Sequence, residues 1–300
     1  MVTTLLTGLI GSGIGFSLSP AMHEREAALL GLELRYDLWD LHALGASPGD
    51  VGDLLRRARD AGYRGLNITL PCKQLVLAHL DTLSTDAAAI GAVNTVVIGE
   101  DGFAGHNTDW TGFRRGLVDG LAGAPLDRVV LVGAGGAGAA AAYALLDLGT
   151  ERLDVVDADP DRAARLAADL DPYRVRGGRL TELPTLLGHA HGVVHATPVG
   201  MAGHPGQAVP GNCLRPDLWV AEIVFRPLHT ALLAAAAEAG AVCLDGGRMN
   251  AHQAADAFRL FTGLEPDPSR MYAHLRELVA PEVSRVPLSG ALSPHPTERM

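Results

Sequence analysis

No other part of the chain constrains the fold as tightly as residues 129–157. A continuous apolar run, 129–132, leads directly into Gly133-Ala134-Gly135-Gly136-Ala137-Gly138. An alanine-rich segment then extends to residue 148, and a second apolar run, 153–156, stops at Asp157. Strand, glycine-rich turn, helix, strand and acid in that order make a βαβ unit. The G-x-G-x-x-G turn lets the backbone approach a pyrophosphate at the helix N-terminus, and an acid about twenty residues on accepts hydrogen bonds from a ribose diol. Glycine clusters also serve plain structural turns. Here the flanking strand, the helix and the acid assign Gly133, Ala134, Gly135, Gly136, Ala137 and Gly138 to dinucleotide binding.

A chain of 300 residues with this unit in its second half has room for another domain. Upstream, short apolar runs alternate with helix-like segments, which predicts an α/β architecture. Strands are expected at 5–10, 35–40 and 65–70, and helices at 20–31, 50–61 and from Pro71 onward. A short helix at 84–90 precedes a hairpin that pairs 95–99 with 103–105. Downstream, strands are expected at 192–196, 219–224 and 241–244, with a helix through 230–239. Helices at 249–262 and 268–279 would return the chain to its first half. The resulting division is 1–110, 111–247 and 248–280. Residues 281–300 carry prolines and serines without apolar periodicity and are expected to form a disordered tail.

Composition removes several classes. Lys+Arg 24 against Asp+Glu 34 leaves a formal net charge of -10, without the basic footprint of a nucleic-acid binder. No apolar run reaches the roughly 18–20 residues that span a bilayer. The N-terminus lacks a basic region before its first apolar residues, so no secretory signal is expected. Cys72, Cys213 and Cys243 are odd in number and far apart, which disfavours a disulfide framework. The expectation is a soluble, cytoplasmic protein, monomer or homodimer, whose partner is a small molecule rather than nucleic acid or membrane.

Asp157 and Asp159 favour NAD over NADP, because a carboxylate at the second strand's end repels a 2′-phosphate. Arg162 would serve such a phosphate or pair with Asp159, and Asp159 before Pro160 also reads as a helix cap. Lys73 follows Asn67-Ile68-Thr69-Leu70-Pro71-Cys72 and falls on the first turn of a helix, an unfavourable place for a mere surface charge. Asp109 closes His106-Asn107-Thr108-Asp109. Oxidising a secondary alcohol requires removing the hydroxyl proton while hydride leaves the carbon, a task that suits a lysine held by a carboxylate. With 36 residues between them, spacing alone leaves a surface lysine and a capping aspartate as the alternative. Ser17 and Ser19, at a turn before a helix, serve either an anion or a cap. No nucleophile elbow surrounds them. Cys72 reads as a passive thiol, and His189, His191 and His195 lack an acid or thiolate at metal-ligand spacing, so no metal is expected.

Taken in order, several motifs resemble the shikimate/quinate dehydrogenase family, over nearly all of residues 5–278. They are Ser17-Leu18-Ser19-Pro20, Asn67 through Lys73, Gly91-Ala92-Val93-Asn94-Thr95, Asn107-Thr108-Asp109, the glycine turn, Ala196-Thr197-Pro198-Val199-Gly200-Met201 and Gln253. The resemblance implies an N-terminal α/β substrate domain facing a Rossmann domain across a cleft, with the last helices returning to the substrate domain. It implies hydride transfer between a nicotinamide dinucleotide and shikimate or quinate, within aromatic amino acid biosynthesis or quinate metabolism. Ser17, Ser19 and Thr69 would hold the substrate carboxylate and neighbouring hydroxyls. Asn94, Asp109 and Gln253 would bind ring hydroxyls, with Lys73 as acid/base. Thr197, Val199, Ile223, Gly246 and Met249 would join the glycine turn, Asp157 and Arg162 along the cofactor. Phe225 stands where many members have a substrate-contacting tyrosine. Typical biosynthetic members carry a basic motif suited to NADP after the second nucleotide strand. Asp157-Ala158-Asp159 instead resembles the NAD-using quinate/shikimate subgroup. Ser19, where quinate-using relatives often carry threonine, leaves shikimate and quinate both open, with a slight lean toward shikimate. The competing readings are a non-catalytic sensor of the same ligands, a dehydrogenase of an amino-substituted analogue, and a dehydrogenase of an unrelated hydroxy acid.

Overall fold

The structure is a computed structural model that describes residues 4–283, with side chains through 280. Two six-stranded sheets divide it. The first contains β1 (Leu5–Gly11), β2 (Leu34–Asp40), β3 (Tyr63–Ile68), β4 (Thr82–Leu83), β5 (Thr95–Gly99) and β6 (Gly102–His106), in the order β2-β1-β3-β5-β6-β4. Its β1 pairs in parallel with β2 and β3, while β5 runs antiparallel to β3 and β6. The second contains β7 (Arg128–Val132), β8 (Arg152–Asp157), β9 (Val175–Arg179), β10 (Gly192–His195), β11 (Trp219–Glu222) and β12 (Val242–Leu244), in the order β12-β11-β10-β7-β8-β9. Every pairing in it is parallel. Strand order reverses between β7 and β10, the crevice where doubly wound sheets take their ligands.

Burial explains why these segments became strands. Val130, Leu131, Val132, Val155, Val156, Val193 and Val194 are all at most 1% exposed, as expected of strands covered on both faces. The helix Gly136–Asp147 lies close on this sheet because Ala140, Ala141, Ala142 and Ala144 are fully buried with almost no side-chain bulk. In the first sheet Ile10, Leu66, Ile68 and Val96 form a separate core with Leu54 and Leu55 of the helix Val51–Asp60. The helices Gly246–Thr262 and Pro268–Val283 return to the first half. Ala251, Ala254, Met271 and Leu275 pack with Met22 of the helix Ser19–Leu29. Glu26, 2% exposed, accepts from the Asp267 N–H at 2.8 Å and from Arg270 Nε at 2.9 Å, fastening the last helix.

Several local expectations need correction. The helix expected from Pro71 is one α turn, Cys72–Leu75, continued as the 3-10 segment Val76–His79. The strand expected over 219–224 stops at Glu222, and residues 281–283 remain helical rather than starting a tail. The rest of that expected tail, 284–300, lies outside the described residues. The helices Thr108–Gly120 and Pro160–Leu170 and the strands β4 and β9 were not expected. Residue 110 lies inside the first of these helices. Among the described residues no helix is long and apolar enough to cross a membrane.

Candidate active site

The loop after β1 carries Ser17 and Ser19, and it is held from β2. Asp40 accepts from the Ile14 N–H at 2.8 Å and the Gly13 N–H at 3.2 Å. Partial burial raises the Asp40 carboxyl, but these bonds and a third from the His42 N–H outweigh it and leave the group below its ordinary range. Leu18, not a serine, occupies the N-cap of the following helix. Ser17 Oγ instead accepts from the Ser19 N–H at 3.3 Å and lies 3.2 Å from Ser19 Oγ. Beneath them the buried Tyr36 hydroxyl donates to Asn67 Oδ1 at 2.8 Å. Burial pushes that phenol well above its usual range. Thr69, half-buried, follows β3 and ties its N–H to the Ile10 carbonyl at 2.9 Å.

Lys73 and Asp109 meet: Nζ lies 2.5 Å from Oδ2, with the side chains 19% and 9% exposed. A helix of one turn has little dipole, so the carboxylate rather than the helix fixes the ammonium. The capping alternative for Asp109 does not hold, because Asn107 is the cap. Its Oδ1 accepts from the N–H groups of Asp109 and Trp110 at 3.1 and 3.3 Å. Asp109 thereby sits in a helical first turn, where negative charge is favoured. Its Oδ1 accepts from Asn94 Nδ2 at 2.9 Å. Gln253 Oε1 joins the same cluster, 3.5 Å from Asn94 Nδ2 and from Thr108 Oγ1. Gly112 makes this meeting possible, since a side chain there would reach Gln253 Cβ at 2.7 Å. One polar group thus gathers Lys73, Asn94, Asp109 and Gln253 from three helices and the turn before β5.

The glycine turn opens on the same side. Gly133, at φ +110, has a backbone only glycine adopts readily, and Gly135 has open space where a side chain would stand. An open turn ahead of a helix N-terminus fits a dinucleotide pyrophosphate. A side chain on Gly136 would meet Lys73 Cδ at 3.4 Å, so the two halves touch at this point. Asp157 Oδ2 accepts from the Ala134 N–H at 2.7 Å and Oδ1 from the Asp159 N–H at 2.9 Å, bracing the turn. Asp159 caps the helix Pro160–Leu170, and its ion pair is with Arg165 at 3.7 Å rather than with Arg162, whose side chain is exposed. Thr197 follows β10 and accepts from the Val199 N–H at 3.3 Å. Gly246 packs on the Ile223 backbone, while Met249, 8% exposed, is built into the core. Phe225 is half-buried against the Met22–Leu228 cluster, and the next residue, Arg226, donates to the Phe16 carbonyl in the loop that carries Ser17.

Tyr36, Thr108 and Asp40 escaped the sequence reading. Strand alternation in β2 buries Tyr36, and a buried phenol needs a partner, which was the available signal. The three histidines do not converge. His191 lies 3.3 Å from Asp127, His189 is exposed, and His195 is buried beside Glu222. Among the described residues no group of three or more His, Cys, Asp or Glu is poised to hold a metal. Burial pushes the Cys72 thiol up, in keeping with a passive role.

Comparison with known proteins gives the family. Residues 9–96 match the family described as the shikimate dehydrogenase substrate binding domain. The chain is 58% identical over 278 residues to a protein of Streptomyces avermitilis named shikimate dehydrogenase (NADP(+)), covering 91% of this chain and 95% of that one. It is 50% identical over 275 residues to a quinate/shikimate dehydrogenase (NAD(+)) of Corynebacterium efficiens, covering 90% and 97%. The solved structure of quinate dehydrogenase from Corynebacterium glutamicum in complex with NAD superposes with a TM-score of 0.86 at 47% identity, covering 91% of this chain and 99% of that one. With two six-stranded sheets and these likenesses over nine-tenths of its length, the chain belongs to the shikimate dehydrogenase family.

Proposed function

We propose that the protein interconverts shikimate, or the related acid quinate, and its 3-dehydro form, with NAD as the hydride carrier and Lys73 as the acid/base. The observation that carries this reading is the 2.5 Å contact between Lys73 and Asp109, made where the Lys73 side chain touches the glycine turn. A proton-transfer group there would reach a substrate hydroxyl held between the polar cluster and the glycine turn. When bound, the dinucleotide takes up or returns the hydride at that carbon. Lys73 Nζ, as the free amine, takes the hydroxyl proton in the oxidation and returns it from the ammonium in the reduction. Asp109 restrains the ammonium and orients a ring hydroxyl. Ser17, Ser19 and Thr69 take the substrate carboxylate and adjacent hydroxyls, and Asn94 and Gln253 the remaining hydroxyls. Phe225 offers an apolar wall without a phenol.

On the cofactor side, residues 133–138 take the pyrophosphate, Asp157 the adenosine ribose, and Thr197, Val199, Ile223, Gly246 and Met249 flank the nicotinamide half. In this division 1–110 bind substrate, 111–247 bind the dinucleotide, and 248–280 complete the substrate side. The likeness to a quinate dehydrogenase that binds NAD supports the cofactor, and Ser19 supports shikimate over quinate. The test is absorbance at 340 nm after mixing the protein with shikimate and NAD. A rise is expected. No rise with shikimate or quinate, with either NAD or NADP, would overturn catalysis and leave a sensor of these ligands.

A further inference from the structure

His195 and Glu222 face each other as register partners at the ends of β10 and β11. Their side chains are shut off from solvent, 1% and 0% exposed. His195 Nδ1 lies 2.9 Å from Glu222 Oε1 and 3.1 Å from Oε2. The same carboxylate accepts from the Val224 N–H at 3.0 Å and from the Thr230 hydroxyl at 3.1 Å. A carboxylate only accepts, so Nδ1 carries a proton toward it, and in the uncharged tautomer Nε2 is then an acceptor. Nε2 meets the Thr197 hydroxyl, which therefore gives its one hydrogen to the ring. The Thr197 oxygen also accepts from the Val199 N–H at 3.3 Å. A single lone pair is left on it.

Thr197 lies beside the glycine turn, since a side chain on Gly133 would meet its Cγ2 at 2.9 Å. It follows β10, on the far side of the strand-order reversal from the β7-β8-β9 half that ends in Asp157. We infer that Glu222 and His195 are positioning residues that make the Thr197 hydroxyl an obligate acceptor for a donor on the nicotinamide half of the dinucleotide, a carboxamide N–H or a ribose O–H. The inference rests on the reading of Thr197 as a dinucleotide contact. A merely structural role would not need these residue types. Taking an acid and a histidine out of water is costly, and apolar residues of similar size would pack there as well.

Equilibrium titration with NADH and NADPH, followed by reduced-nicotinamide fluorescence, tests this in Glu222→Leu, Thr197→Val and the double variant, using whichever dinucleotide the parent binds more tightly. A leucine offers Nδ1 no acceptor, so the ring proton moves to Nε2 and turns the Thr197 hydroxyl into a donor. Each single variant is expected to bind roughly tenfold more weakly. The double variant should bind no more weakly than Thr197→Val, with shikimate affinity unchanged throughout. Parent-like binding by Glu222→Leu beside a weakened Thr197→Val would overturn the positioning role alone. Parent-like binding by Thr197→Val would overturn both the inference and the placement of Thr197 on the dinucleotide. Losses that multiply in the double variant mean independent effects and overturn it too, and a parent that binds neither dinucleotide overturns the proposed function itself. Should Glu222→Leu lack a cooperative thermal transition, His195→Leu, which leaves the Thr197 hydroxyl no ring acceptor, replaces it with the same expectations.

Discussion

Asp157→Asn isolates the charge that selects between NAD and NADP. The carboxylate is held at both oxygens, by the Ala134 N–H at 2.7 Å and the Asp159 N–H at 2.9 Å, so it cannot swing away from a ligand. A carboxylate has about four acceptor positions, which leaves roughly two for the vicinal hydroxyls of an adenosine ribose. A 2′-phosphate about 4 Å away would meet one unit of like charge at about 4 kcal/mol, taking an effective dielectric of about 20. Salt and a small shift of the phosphate reduce this. Retaining a third still leaves about 1.4 kcal/mol, or tenfold. The parent should therefore prefer NAD by at least about tenfold in kcat/KM. Asparagine removes the charge but keeps one acceptor for the turn, so the preference should fall to within about threefold, chiefly through better use of NADP. Asp157→Ala would also free the Ala134 N–H and weaken both dinucleotides. Initial rates at 340 nm with saturating shikimate decide the matter. A parent that uses NADP as well as NAD, or an unchanged ratio in Asp157→Asn, would refute the reasoning.

Two further outcomes are expected. Ser17→Ala should raise KM for shikimate about ten- to hundredfold, the worth of a hydrogen bond to a charged group, and leave KM for NAD alone; a lowered Tm with unchanged KM would instead make Ser17 a structural tie to the Ser19 N–H. His23 is 1% exposed, its Nδ1 has no partner, and it stacks 4.7 Å from Tyr36, so burial lowers its pKa to about 3. A histidine lowered in the folded state adds stability that is full above the unfolded value of about 6.5 and drains away as pH falls toward the folded one, by about 2.7 kcal/mol at about pH 4.5. Urea unfolding of the parent and His23→Phe at both ends of that window should show the loss in the parent alone, and parallel loss in both would count against it.

The glycine turn was legible because strand, turn, helix and acid all lie within one stretch of chain, where local pattern and final geometry agree. The helix Thr108–Gly120 was not. Glycines at 112, 116 and 120 depress its helical propensity, and they are there because the helix Gly246–Thr262 crosses closely enough for a side chain at Gly112 to strike Gln253. β9, Val-Arg-Gly-Gly-Arg, has one buried apolar residue and offers no periodicity to read. For Lys73 and Asp109 the residue types suggested the chemistry, but the pairing depends on how Asn107 caps one helix and how β3 delivers the other. His195 and Glu222 lie 27 residues apart, and only the register of β10 and β11 joins them. Asp40 is similar: a strand-end acid is ordinary in sequence, and its hold on the Gly13–Ile14 backbone exists only once β1 and β2 are paired.

Lys73→Ala tests the central claim most directly. Its kcat for shikimate oxidation, measured at 340 nm under conditions where chemistry limits turnover, should fall by roughly 10²–10⁴, the usual span for a positioned acid/base. NADH affinity should stay close to that of the parent, because the Lys73 ammonium is engaged by Asp109 rather than by the glycine turn. A folded Lys73→Ala protein that keeps more than about a tenth of the parent kcat would contradict the assignment and move the proton transfer to Asp109 through a water.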